Sequence, residues 1–154
     1  MNTRTPALLL AWLALTQLSG CALNPRDSGH AAGARAADHA LAVVGSPYRY
    51  GGNSPSGFDC SGLVQYSYAR AGVRLPHGTE HLWRYSRTVS ARELRRGDLV
   101  FFDQQGKKSS HVGIYLGRDQ FVHAPSSGKQ VHVASLANPY WRRYFTAARR
   151  LDAD

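Results

Sequence analysis

The chain has 154 residues, of which 43% are apolar and 19% charged. That is enough for one compact domain, too short for two ordinary ones, and too apolar for a disordered tail. Nineteen Lys and Arg against ten Asp and Glu give a formal charge of +9, which favours acidic partners.

At the N-terminus Arg4 precedes an apolar run from Pro6 to Leu18, too short for a lasting transmembrane span and suited to a secretory signal over residues 1–20. The sequence Leu18-Ser19-Gly20-Cys21 resembles the lipobox of bacterial lipoproteins. The resemblance implies that Cys21 is acylated, becomes the first residue of the mature chain and anchors it to a membrane on the periplasmic side. Ala22 lacks the Asp associated with inner-membrane retention in enteric bacteria, so the outer membrane is expected. An exported chain meets no nucleic acid, and its basic surface is left to meet anionic lipid head groups or cell-wall carboxylates, or simply water. Of two cysteines, acylation of Cys21 leaves Cys60 as a lone thiol. In an oxidising compartment that favours a chemical use over a structural one.

Residues 21–34 hold Asn, Pro, Asp, Ser and Gly without an apolar period, and predict a flexible tether before a domain over residues 35–154. A helix is expected from Ala36 to Val44, stopped by Gly45-Ser46-Pro47. The glycine-rich stretch from Tyr48 to Phe58 must turn sharply or approach another segment closely, and it lacks the Lys-Ser/Thr of a phosphate loop. Asp59 is a good N-cap for a helix from Cys60 to Ala71 that Gly72 ends. Further helix is predicted over Thr79 to Tyr85, with one turn after Ser90. The pattern then changes to short apolar, β-branched runs at Leu99–Phe102, His111–Leu116, Gln120–Ala124 and Val131–Ala134. Helices first and strands afterwards predict an α+β domain with the Cys60 helix packed on an antiparallel sheet.

A thiol attacks as its thiolate, and a helix N-terminus favours negative charge, so Cys60 is well placed although the Asp59 carboxylate opposes it. A base is then required. His30 falls in the tether, and His39, His77, His81 and His132 have no motif around them. His111 and His123 lie on successive strands, and on one face of the sheet if paired residue numbers sum to an even number. A two-residue turn at Arg118-Asp119 would give an odd sum, so a three-residue connection or a bulge near Gly117 is expected. In that arrangement His111 takes the Cys60 proton and His123 orients it. Spacing alone favours the plainer arrangement of a buried Cys beside two half-buried sheet histidines. A zinc site is discounted, because one Cys and two His lack the local ligand pairs usual for that metal.

The runs Pro47-Tyr48-Arg49-Tyr50-Gly51-Gly52, Gly57-Phe58-Asp59-Cys60-Ser61-Gly62-Leu63-Val64, Gly97-Asp98-Leu99-Val100-Phe101-Phe102, His111-Val112-Gly113-Ile114-Tyr115-Leu116-Gly117 and Phe121-Val122-His123-Ala124 resemble, in order and spacing, the NlpC family of cell-wall cysteine peptidases. The resemblance implies a papain-like fold with Cys60 as nucleophile, His111 as base, His123 as third member and Tyr48 as a donor to the oxyanion. It implies no metal and no cofactor. It also implies peptidoglycan as substrate, through stem peptides or crosslinks containing D-amino acids and meso-diaminopimelate. Arg49, Arg74 and Arg84 are unranked candidates to meet substrate carboxylates. On the same fold an amidase or an acyltransferase remains open, as does a non-catalytic wall-binding lipoprotein.

Overall fold

The structure, a computed structural model, describes residues 25–126 and 129–151; Cys21 and the signal segment lie outside the described residues. Its centre is a six-stranded antiparallel sheet. In chain order the elements are α1 (Pro25–Leu41), β1 (Asn53–Ser54), β2 (Gly57–Phe58), α2 (Cys60–Arg70), α3 (Thr79–Arg84), β3 (Ser86–Val89), a 3₁₀ turn at Ala91–Glu93, β4 (Leu99–Phe102), β5 (His111–Gly117), β6 (Gln120–His123), β7 (His132–Ser135), α4 (Pro139–Tyr144) and β8 (Phe145–Leu151). The strands lie in the order β3-β8-β4-β5-β6-β7. This is the expected α+β architecture of N-terminal helices on an antiparallel sheet.

Alternation along the strands builds two cores. Leu99 and Phe101 of β4, Val112 and Ile114 of β5 and Val122 of β6 pack with Ala36, Ala37 and Ala40 of α1 and Leu63, Val64 and Tyr68 of α2. Val100, Phe102, Tyr115 and Phe121 face the other way and are covered by Trp141, Tyr144 and Phe145. Since side chains alternate across a strand, β4 is buried on both faces, which is why it reads as an unbroken apolar run. Its four residues are all buried.

The boundary expected at residue 35 is corrected. Helix α1 begins at Pro25, within the stretch read as tether, and Ala32 and Gly33 are buried. The reason is packing without an apolar stripe: a β-carbon on Gly97 would lie 2.2 Å from the Gly33 carbonyl carbon, so the two backbones meet only because Gly97 has none. Tyr68 fixes the contact by donating to the Gly97 carbonyl at 2.5 Å. Small residues that permit such approach carry little hydrophobic signal.

Two strands have no strong local signal. Strand β3 is four residues of mixed character, and β8 reads Phe-Thr-Ala-Ala-Arg-Arg-Leu with no clean alternation. Tertiary partners decide β8: it pairs with β3 and β4, and its Arg150 meets the buried Asp98 carboxylate through two contacts of 2.7 Å. Helix α4 is capped by Asn138, which accepts from the Tyr140 N–H at 2.9 Å, with Pro139 at its first position.

Candidate active site

Asp59 builds the entrance to α2. Its Oδ1 accepts from the Gly62 N–H at 2.7 Å and the Ser61 hydroxyl at 3.0 Å, and its Oδ2 accepts from the Gly51 N–H at 2.9 Å. One buried carboxylate therefore caps the helix and ties it to the glycine loop. The close approach expected of that loop is real, because a β-carbon on Gly62 would lie only 1.9 Å from the Gly52 carbonyl oxygen. Only glycine leaves room for that carbonyl against the helix, so Cys60 opens α2 from a clamped position.

The Cys60 sulfur reaches the start of β5. Backbone N–H groups of Val112, Ser61 and Cys60 itself act on it and favour the thiolate, yet burial, followed by the Asp59 charge, pushes the thiol up to about 11. The residue keeps partial exposure. Tyr48, half-buried at the loop entrance, has its phenol raised by burial and then by Cys60, Asp59 and Tyr50. It therefore stays protonated beside the thiol and able to donate.

His111 is the residue before Val112, so it stands at the same strand end as the sulfur. Strand register explains how His123 joins it. Ile114 pairs with Val122 and Tyr115 with Phe121, but the turn end pairs Gly117 with Gln120, leaving Leu116 as an extra residue on β5. This is the bulge that the same-face requirement called for. The turn itself is the tight two-residue form, with Arg118 and Asp119 at φ 52° and 59°. Both histidines then share a face, and His111 Nε2 lies 2.9 Å from His123 Nδ1. Gly113 makes space for the pair, since a β-carbon there would come within 2.6 Å of the Phe121 ring and 3.4 Å of the His123 β-carbon.

Both imidazoles are held neutral. Burial, then His132, lowers His111 to about 4; burial, then His111, His132 and Lys129, lowers His123 to about 2. With Nε2 of His111 engaged, its Nδ1 is the nitrogen left for a thiol proton. That use requires the His111 hydrogen on Nε2, donating to His123, and so places the His123 hydrogen on its own Nε2. That nitrogen is buried and has no hydrogen-bond partner among the described residues. The rings of His132 and Trp141 lie 4.5 and 4.7 Å from the His123 ring. Trp141 also stacks on His111 at 5.7 Å with 24° between planes.

The structure thus draws Cys60, His111, His123 and Tyr48 to one end of the sheet. It does not gather the three arginines: Arg84 pairs with Glu80 on the surface of α3 at 2.6 Å, and Arg74 lines a separate groove with Asn53, Gln65 and Tyr66. Arg49 is exposed and packs its stem near Gly57. Two neighbours escaped the sequence reading. His77 lies 3.0 Å from Asp59 Oδ1, and Trp141 covers the histidine pair. Neither carries a local motif, and each reaches the site across a long stretch of chain. No group of three or more potential metal ligands exists among the described residues.

Residues 45–150 match the model of the NlpC/P60 family. Murein DD-endopeptidase MepH of Escherichia coli is 42% identical over 113 residues, covering 70% of this chain and 42% of that protein. Peptidoglycan DL-endopeptidase CwlO of Bacillus licheniformis is 46% identical over 117 residues, covering 70% of this chain and 25% of that protein. A structure from Staphylococcus aureus, described as similar to lipoprotein of the NLP/P60 family, superposes with a TM-score of 0.71 at 35% identity, covering 80% of this chain and 42% of that one. The chain spans about half the length of the curated relatives it matches. A family match over most of the domain, with the same fold in a solved relative, establishes that the chain belongs to the NlpC/P60 family.

Proposed function

We propose that this chain is a peptidoglycan hydrolase, a cysteine endopeptidase that cleaves stem peptides or crosslinks containing D-amino acids and meso-diaminopimelate. The observation that carries the reading is the His111–His123 hydrogen bond at the strand end where the Cys60 sulfur lies. Names of relatives, murein DD-endopeptidase and peptidoglycan DL-endopeptidase, support the substrate class.

In the proposed reaction the neutral thiol and the neutral imidazole start together. As the sulfur attacks the scissile carbonyl carbon, His111 Nδ1 takes the thiol proton, and His123 Nδ1 accepts from the His111 Nε2–H to steady the imidazolium. The oxyanion is met by the Tyr48 hydroxyl and the Cys60 N–H. Collapse breaks the C–N bond, the amine leaves with the proton from His111, and a thioester remains. Water, deprotonated by His111, attacks the thioester and restores the thiol. Besides the attacking water, these steps use side chains and backbone of this chain.

Mass spectrometry of muropeptides after digestion of purified sacculi tests the reading. Products cut within the stem or at crosslinks are expected, with crosslink cleavage favoured. Release of intact stems from the sugar would replace it with an amidase. Lipid attachment at Cys21, and an outer-membrane position facing the periplasm, belong to the same proposal. No described helix is long and apolar enough to cross a membrane. With the signal segment removed, the mature Cys21→Ala protein is expected to leave the membrane fraction; its retention in high salt would count against the anchor.

A further inference from the structure

We propose that His77 is a positioning residue for the nucleophile, acting through Asp59: it holds the carboxylate oxygen nearest the start of α2 and draws its charge away from the Cys60 sulfur. The inference rests on the reading that Cys60 is the nucleophile, and it goes beyond that reading by adding a residue from a distant loop.

The geometry is specific. His77 Nε2 lies 3.0 Å from Asp59 Oδ1, with the His77 side chain 37% exposed and that of Asp59 12%. A carboxylate only accepts, so Nε2 carries the hydrogen and donates. The loop is held in place from α3, where His81 Nδ1 donates to the His77 carbonyl at 2.8 Å. Oδ1 therefore receives three donors, the Gly62 N–H, the Ser61 hydroxyl and His77, and Oδ2 receives the Gly51 N–H. Three of these belong to the cap and the glycine loop. His77 alone brings an ionisable group.

Asp59 is needed to clamp the loop to the helix, yet its charge opposes the thiolate on the next residue. The same charge acts on Tyr48 across the cleft. The other groups around the thiol are Tyr48 from the loop, His111 at the start of β5 and the backbone N–H of Val112. Among the described residues, the ionisable side chain that bonds the opposing carboxylate itself is His77. A donor there, neutral or charged, lowers the negative potential at the sulfur, and an imidazolium lowers it more. His77 thus lets one carboxylate serve as the cap at less cost to the thiolate.

The test reads the thiol directly, through the rate of iodoacetamide alkylation of Cys60 against pH in the purified protein. His77→Ala is expected to shift the alkylation profile to higher pH and to slow alkylation at neutral pH about threefold to tenfold. His77→Arg, with a permanent charge, is expected to shift it the other way. In an Asp59→Asn background, which keeps the cap acceptor and removes the charge, His77→Ala should no longer move the profile, because the effect runs through the carboxylate. Circular dichroism checks that each protein is folded, and His77→Gln, which retains a donor, should fall between the wild type and His77→Ala. An unchanged profile in His77→Ala, or an equal shift with and without the Asp59 charge, overturns the proposal. Failure of the wild type to cut sacculi while these shifts persist would overturn the peptidase reading and leave the role of His77 standing.

Discussion

At the scale of single residues, burial favours the neutral forms of the Cys60 thiol and of the His111 and His123 imidazoles. Cys60→Ser and His111→Ala are each expected to lower hydrolysis by about 10³-fold or more while leaving the fold intact, measured by muropeptide release and by circular dichroism. Full turnover by the serine protein would rule out a thiol mechanism. The pH dependence follows from the same burial. His111 is lowered from an ordinary 6.5 to about 4, so its base form persists in mild acid, and the acid limb of kcat/KM should lie well below 6.5. Stability follows the same direction. In the folded protein the histidine pair binds protons more weakly than in the unfolded chain, so its contribution is fully present above the ordinary histidine value and is lost as pH falls through the folded one. Urea midpoints should therefore drop between about pH 7 and about pH 5. In His123→Ala, which removes one buried neutral imidazole, that drop should be smaller.

At the scale of elements the β5–β6 hairpin decides which residues can cooperate. Leu116 is the extra residue that brings His123 onto the face of His111. Its deletion should restore a regular two-residue hairpin, reverse one strand relative to the other and break the 2.9 Å contact. Hydrolysis should be lost, and a structure of the deletion variant would show the His123 ring turned away. The turn offers an opposite test. Arg118 and Asp119 both occupy left-handed conformations, which Asn and Gly adopt more readily. The double substitution Arg118→Asn with Asp119→Gly should raise stability by about 1 kcal/mol, read from thermal unfolding, with activity unchanged. The backbone contacts made here, Leu136 N–H to the Asp119 carbonyl and Asp119 N–H to the Tyr115 hydroxyl, survive that change.

Across the whole molecule the site depends on contacts far from it. Asp98 lies between the Arg95 N–H at 2.7 Å and the Arg150 guanidinium, and so joins the lead-in to β4 to strand β8. Asp98 is buried and Arg150 half-buried. Replacing Asp98 by Ala removes the charged hydrogen bonds to Arg150 and the one from the Arg95 N–H, and should cost about 1–3 kcal/mol, seen as a lower urea midpoint. The N-terminal boundary has a similar weight. Because Gly33 meets Gly97 and Ala32 is buried, a chain beginning at Arg35 should unfold at a lower temperature than one beginning at Pro25, by an amount equivalent to about 2 kcal/mol. Equal melting temperatures would restore the tether reading of that stretch.

What the sequence determined by itself was local chemistry. Asp59 before Cys60 specified a cap, and the side chain does accept from Gly62. The apolar runs of β4, β5, β6 and β7 specified strands, because alternation and β-branching act within a few residues. Parity between His111 and His123 required a three-residue connection or a bulge, since a regular two-residue hairpin sends the rings to opposite faces. The tertiary structure decided what depends on partners distant in the chain. Strand β8 exists through its pairing and the Asp98–Arg150 contact, not through its own pattern. Helix α1 extends to Pro25 because small residues let backbones approach, and small residues leave almost no hydrophobic signature. His77 reaches Asp59 from a loop eighteen residues away. Such contacts have no period for a sequence to display: they arise only when folding brings separate segments within hydrogen-bonding distance.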